Sequence, residues 1–161
     1  MNRISEHISY NEATFSATAK RLGIRNVPGR VQIANMKWTA KMVFEPIRNH
    51  FGVPLRVNSF YRSPKLNKVL GGSSSSDHMR GSAIDIDEYD FTMVSNKHVF
   101  LWALENLEYH QLIAEFPKDG NPSWVHISYR GEGYNANQAL VAHYKKGKAV
   151  YTHFKGVYQF D

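Results

Sequence analysis

Apolar residues follow two different rhythms along this chain. Before residue 52, and again near residue 100, they recur every three or four positions. Elsewhere, from residue 55 on, they alternate with polar ones. The first rhythm predicts helices over 10–23, 30–51 and 95–108. Asn11 and Ser95 are candidate N-caps, and Gly23 and Gly52 candidate terminators. In the longest helix Ile33, Met36, Trp38, Ala40, Val43 and Ile47 are the expected inward positions. A shorter helix should open at Ser63-Pro64 and close at Gly71-Gly72. The alternating rhythm predicts strands in "PLRVNSFYR", over 83–87, and in "HQLIAEF", "SWVHISY" and "KAVYTHF". Asp119-Gly120 in "PKDGNPS" is a hairpin signal between the third and fourth of these. Helices mostly come first and strands after. The expected fold is α+β, a single domain over 1–161 with N-terminal helices packed on a small antiparallel sheet.

Composition narrows the class. The chain has 161 residues, 42% hydrophobic and 13% aromatic, enough for one core and too apolar for a disordered tail. It has no apolar run long enough to span a membrane. "MNRISEHISYNEATF" lacks the apolar segment of a secretory signal, so synthesis in the cytoplasm is expected. With no cysteine, any metal must be held by His, Asp and Glu. A net charge of +6 favours an anionic partner: nucleic acid, anionic lipid or a cell wall.

The chemistry gathers around "SSSSDHMRGSAIDIDEYD", residues 73–90. On a strand over 83–87, Ile84 and Ile86 share the core face, and Asp85 points from the other. Gly81 lets the chain reverse, so that His78 folds back beside Asp85. If "SWVHISY" is the neighbouring strand, His126 lies across from Asp85. His78, Asp85 and His126 then make three metal ligands with a fourth position open to water, the arrangement of a catalytic zinc. In "HQLIAEF", alternation sets Leu112, Ala114 and Phe116 on one side and Gln111, Ile113 and Glu115 on the other. The hairpin could bring Glu115 near His126 as general base and acid. Arg62, at the end of a strand, could bind a substrate carboxylate or a developing oxyanion.

These motifs resemble those of the peptidase M15 family, zinc D-alanyl-D-alanine carboxypeptidases and their relatives, whose fold is shared by Hedgehog signalling domains. "SDHMRGSAIDID" fits the family's Ser-x-His-x-x-Gly-x-Ala-x-Asp pattern. "VNSFYRSPKLNKVLGG" resembles its Ser-x-Tyr-Arg-Ser segment, and "WVHIS" the strand of its last histidine. "MVFEPIRNHFGVPLRVNS" resembles its helix-to-strand lead-in. The likeness covers roughly residues 5–130. It implies Zn2+ on His78, Asp85 and His126, Arg62 at substrate and transition state, and Ser76 as a substrate contact. It also implies a peptide of bacterial peptidoglycan as substrate, cut at a D-Ala-D-Ala or L-Ala-D-Glu type bond. Many members carry a catalytic acid three residues before the last histidine. Here that residue is Ser123, which leaves Glu115, in "LIAEF", as the substitute.

The expected protein is therefore a lysin-like zinc peptidase acting as a monomer at the cell wall or periplasm. No nucleic-acid partner is expected. Two rival readings remain: an inactive wall-peptide binding module of the same fold, and a basic nucleic-acid binder using Tyr129, Tyr134 and Tyr144. His98, His110, His143 and His153 lack a ligand pattern. Asp87, Glu88 and Asp90 read as a solvated turn, from which one carboxylate could orient a ligand histidine.

Overall fold

The computed structural model describes residues 2–161. Two short helices open it, α1 (Tyr10–Thr14) and α2 (Ala17–Arg21). The sequence predicts one helix here, with Asn11 as cap. Instead Ser9 caps α1 and Ser16 caps α2, each side chain accepting a backbone N–H of its own first turn. Ser16 offers the backbone a local partner, and the helix stops and restarts there.

The helix expected over 30–51 runs without a break. It comprises α3 (Arg30–Thr39), a wider π turn (Ala40–Phe44) and α4 (Glu45–Phe51). Pro46 sits just past the wide turn. It has no N–H to give the preceding turn, so the α-helical ladder cannot close across it. Gly52, at φ 66°, ends the run as predicted. Met36, Ala40, Val43 and Ile47 are buried, whereas Trp38 is exposed, with the Lys41 ammonium over its ring.

Strand β1 (Arg56–Ser59) leads to α5 (Pro64–Val69), capped by Ser63 as the sequence predicts. A 3₁₀ turn (Asp77–Arg80) follows, then β2 (Ala83–Asp87) and α6 (Asn96–Asn106), which Ser95 caps. Strands β3 (Gln111–Glu115), β4 (Trp124–Ser128), β5 (Gln138–Lys145) and β6 (Lys148–His153) complete the sheet, and a 3₁₀ turn (Val157–Phe160) ends the chain.

The six strands lie in the order β1-β2-β4-β3-β5-β6. All pairs are antiparallel but one: β5 runs parallel to β3. The expected purely antiparallel sheet is thus a mixed one. The cause lies in the register. Ser128 at the end of β4 is opposite Gln111 at the start of β3. The chain steps over β3 there and begins β5 with Gln138 beside Gln111, so the two strands point the same way.

The faces differ. Ile84, Ile86, Leu112, Ala114, Val125, Ile127 and Val141 join the main core with residues of α3, the π turn, α4 and α6. The other face carries a smaller apolar group, Ile113, Leu140 and Ala142, against which Phe116 packs. Alternation predicts Phe116 on the same side as Leu112 and Ala114. The strand ends at Glu115, and Phe116 takes φ 44°, which takes it out of the alternation.

The turn before β2 is clamped to α3. Asn35 donates to the Arg80 carbonyl at 2.8 Å and Thr39 to the Gly81 carbonyl at 3.3 Å. Gly81 has φ 73°, and a Cβ there would come within 2.5 Å of the Gln32 carbonyl oxygen. Strain and steric overlap act together, so Gly81→Ala should cost at least about 2 kcal/mol. Urea denaturation measures this, and a variant as stable as the parent would refute the tight approach of turn and helix.

Candidate metal centre

The open face of the sheet brings three candidate ligands together. Asp85 on β2 is paired directly with His126 on β4. His78 comes from the 3₁₀ turn, which Gly81 folds back over β2. Asp85 Oδ1 lies 2.8 Å from His126 Nδ1 and 3.2 Å from His78 Nε2. The three donor atoms all lie within 4.8 Å of one another. His78 and Asp85 are buried, and His126 nearly so.

The orientation of His78 is fixed from behind. Its Nδ1 sits 2.7 Å from the Phe60 carbonyl oxygen, which can only accept. Nδ1 therefore carries the proton, and Nε2 turns its lone pair toward Asp85. The Arg62 backbone N–H donates in return to the His78 carbonyl at 3.2 Å. Segment 60–63 is itself pinned by Asn26, whose amide donates to Thr14 and Tyr61 and accepts from the Ser63 N–H.

Arg62 reaches the cluster from the segment that follows β1. An irregularity between Val57 and Ser59 shifts the register there and re-aims the strand end. Its Nη2 donates to Asp85 Oδ2 at 2.6 Å and its Nε to Ser59 Oγ at 2.8 Å. The Asp85 oxygens are thus divided between imidazoles and guanidinium.

Burial opposes charge on Asp85, but the hydrogen bond and charge of His126 outweigh it, with the Arg62 guanidinium 2.6 Å away, and hold the carboxyl well below the usual range. Burial dominates at His78 and keeps the imidazole neutral, against the pull of Asp85. Burial also lowers the basicity of His126, but the hydrogen bond and charge of Asp85, with Glu115, raise it above the ordinary value. A neutral histidine in one tautomer, a second histidine and a fully ionised carboxylate form a set that suits a first-row divalent cation. The three residues could hold a metal.

Glu115 ends β3 opposite Trp124, on the same face as His126 and diagonal to it. It is buried, and its Oε2 has no hydrogen-bond partner among the described residues. Burial pushes its carboxyl up to about 7, with Asp85 adding to the rise and His126 and Arg62 opposing it. Ser123, three residues before His126, closes the hairpin. Its hydroxyl donates to the Phe116 carbonyl at 2.7 Å and its N–H to the Glu115 carbonyl at 2.8 Å.

A groove of about 1060 Å³ runs over the cluster. Arg62, His78, Asp85, Glu115 and His126 line it, together with Ser76 and the Leu70–Ser76 loop. Phe116, Tyr144 and Tyr151 line it from the β5–β6 side, and Tyr144 stacks on Phe116 at 4.2 Å.

Several residues are placed elsewhere than one reading of the sequence suggests. Tyr129 is buried in the main core and Tyr134 is exposed, so with Tyr144 they make no common aromatic face. Asp87 bonds Asn58 and Asn96, and Glu88 bonds Asn96 and Asn121. These acids tie β2 to α6; among the described residues the Phe60 carbonyl orients His78, and His126 bonds Asp85. Ser59 is the first serine of the Ser-x-Tyr-Arg-Ser segment, whereas Asn26 and the β5–β6 wall carry no motif. The alternation in "QALVAHYK" is the one signal that points to β5.

A family model described as peptidase M15 matches residues 6–128, which include all the groups of the cluster and Glu115. No curated protein matches the chain. The chain belongs to the peptidase M15 family.

Glu115 titrates near 7 when folded and near 4.5 when free. Between these values the folded protein binds a proton that the unfolded chain does not. Stability from this group is complete below about 4.5 and is lost as pH rises through about 7. The metal-free Glu115→Gln variant lacks this loss. Its stability relative to the parent should rise between pH 5 and pH 8 in urea denaturation, and a constant difference would contradict the burial of this carboxyl.

Proposed function

We propose that this member of the peptidase M15 family is a zinc-dependent peptidase of bacterial peptidoglycan stem peptides, cutting a D-Ala-D-Ala or L-Ala-D-Glu type bond. The observation that carries this reading is the pairing of two unlike carboxyls on one groove floor. Asp85 stays ionised between two imidazoles, while the unpartnered Glu115 titrates near neutrality. Acid and base roles separate when environments push like groups apart.

His78 Nε2, an Asp85 oxygen and His126 Nδ1 are the atoms that would hold the ion. When bound there, zinc supplies Lewis acidity, which polarises a carbonyl and eases ionisation of water. The protein's own residues do the rest. Glu115 accepts the proton of the attacking water and passes it to the leaving amine, a task that suits a group balanced near pH 7. Arg62 keeps its remaining guanidinium donors for the oxyanion or a substrate carboxylate, while its Nη2 and Nε hold it in place. Ser76 lines the groove one turn from His78 as a substrate contact. The chain's +6 charge favours approach to an anionic wall, where we expect a lysin-like monomer to act.

His78→Ala should lose both bound zinc and hydrolysis of purified cell wall. Full activity in that variant would rule out the ligand set. Glu115→Gln should keep its zinc and lose about 10²–10⁴-fold in rate. Mass spectrometry of the digested muropeptides identifies the bond cut. Unchanged hydrolysis by Glu115→Gln would remove it from the mechanism, and no hydrolysis by the parent would favour a wall-peptide binding module.

A further inference from the structure

We propose that Arg130 is a second anion-binding site in the groove, gripping a substrate carboxylate away from the bond that is cut. The inference rests on the peptide-hydrolase reading above and adds a specificity-determining residue to it.

Arg130 lies two residues beyond the end of the family match and belongs to no motif of the sequence. It lines the same groove as His78, Asp85, Glu115 and His126. Its Nε donates to both oxygens of Asp77, at 3.1 and 3.2 Å. Asp77 is buried, 6% exposed, and adjoins His78. The Arg130 side chain is 36% exposed. Its two terminal nitrogens make no hydrogen bond to protein among the described residues.

This arrangement differs from that of Arg62. There Nη2 and Nε are both engaged, and the partner of Nη2 is the candidate ligand Asp85. At Arg130 the buried carboxylate takes only the inner edge of the guanidinium. The outer nitrogens are left as a fixed pair of donors, spaced to meet the two oxygens of a carboxylate. The backbone holds the base of the side chain as well. The Tyr129 N–H donates to the Ser82 carbonyl at 2.9 Å, and the Arg130 N–H to Asn135 Oδ1 at 2.9 Å. The guanidinium is thus tied to the turn that carries His78, and the backbone just before Arg130 to the residue that precedes β2. A carboxylate gripped there is set at a constant offset from the metal ligands.

The test uses the zinc-loaded protein and synthetic stem peptides in which each free carboxylate in turn is replaced by a carboxamide. Affinity is measured by calorimetry and turnover by chromatography. One replacement should weaken binding to the parent protein by about tenfold or more. In Arg130→Gln that gap should shrink below about twofold through KM, with kcat and zinc content little changed. Arg130→Lys keeps a cation for buried Asp77 but loses the fork, so it should fold and show a reduced gap. The proposal is overturned if every gap survives in both variants, or if the parent shows no gap at all. If no peptide binds or is cut, the substrate class falls with it. Cleavage with undiminished gaps overturns Arg130 alone.

Discussion

Asp85 is a carboxylate that must stay charged where charge is costly. It is 5% exposed, yet it touches two imidazoles and a guanidinium. An isolated buried carboxylate would take up a proton. Donors from His126 and Arg62 keep this one ionised, and His126 is in reach only because β2 and β4 pair in one register. A slip by one residue would exchange Asp85 with Ile84 or Ile86 and put the charge into the core. The isoleucines therefore protect the site as much as they build the core. Their burial fixes the face on which the polar chemistry appears.

A second layer of polar contacts holds the first in place. The Phe60 carbonyl sets the tautomer of His78, Ser59 steadies Arg62, and Asn26 pins the segment between them. On the far side Asn96 binds Asp87 and the carbonyls of Pro122 and Ser123, tying the end of β2 to the hairpin that carries His126. The holding groups are uncharged, a hydroxyl, two amides and a carbonyl. The bonds to Phe60, Ser63, Pro122 and Ser123 satisfy a backbone group and immobilise a ligand-bearing segment at the same time. Glu115 lies outside this layer. Its buried Oε2 has no hydrogen-bond partner among the described residues, which leaves the carboxyl free to exchange a proton.

Much of the site is legible in the residues themselves. The alternation Ile84-Asp85-Ile86 gives the face, Gly81 gives the reversal, and the spacing of His78 and Asp85 around it gives the pair. The Ser63-Pro64 and Ser95 helix starts are legible because a cap is a local hydrogen bond, needing nothing from the rest of the chain. Trp38 and Phe116 are misplaced by periodicity alone. Trp38 falls outside the stripe that packs on the sheet, and Phe116 follows a strand end where alternation stops. The parallel placing of β5 is not legible either, since it depends on which sheet edge is free when β4 ends.

The sequence by itself determined the candidate ligands, the face they share and the family, because each rests on contacts within a few residues or on a short motif. The tertiary structure alone decided that Arg62 pairs with Asp85, that burial pushes Glu115 toward neutrality, and that Arg130 stands over the same groove on a buried Asp77. The reason is range. Caps, turns and alternation act over a few residues, whereas the charge state and aim of these groups depend on partners 23, 30 and 53 residues away (85 − 62, 115 − 85 and 130 − 77). Only the folded sheet brings those partners together and excludes the water that would otherwise screen them.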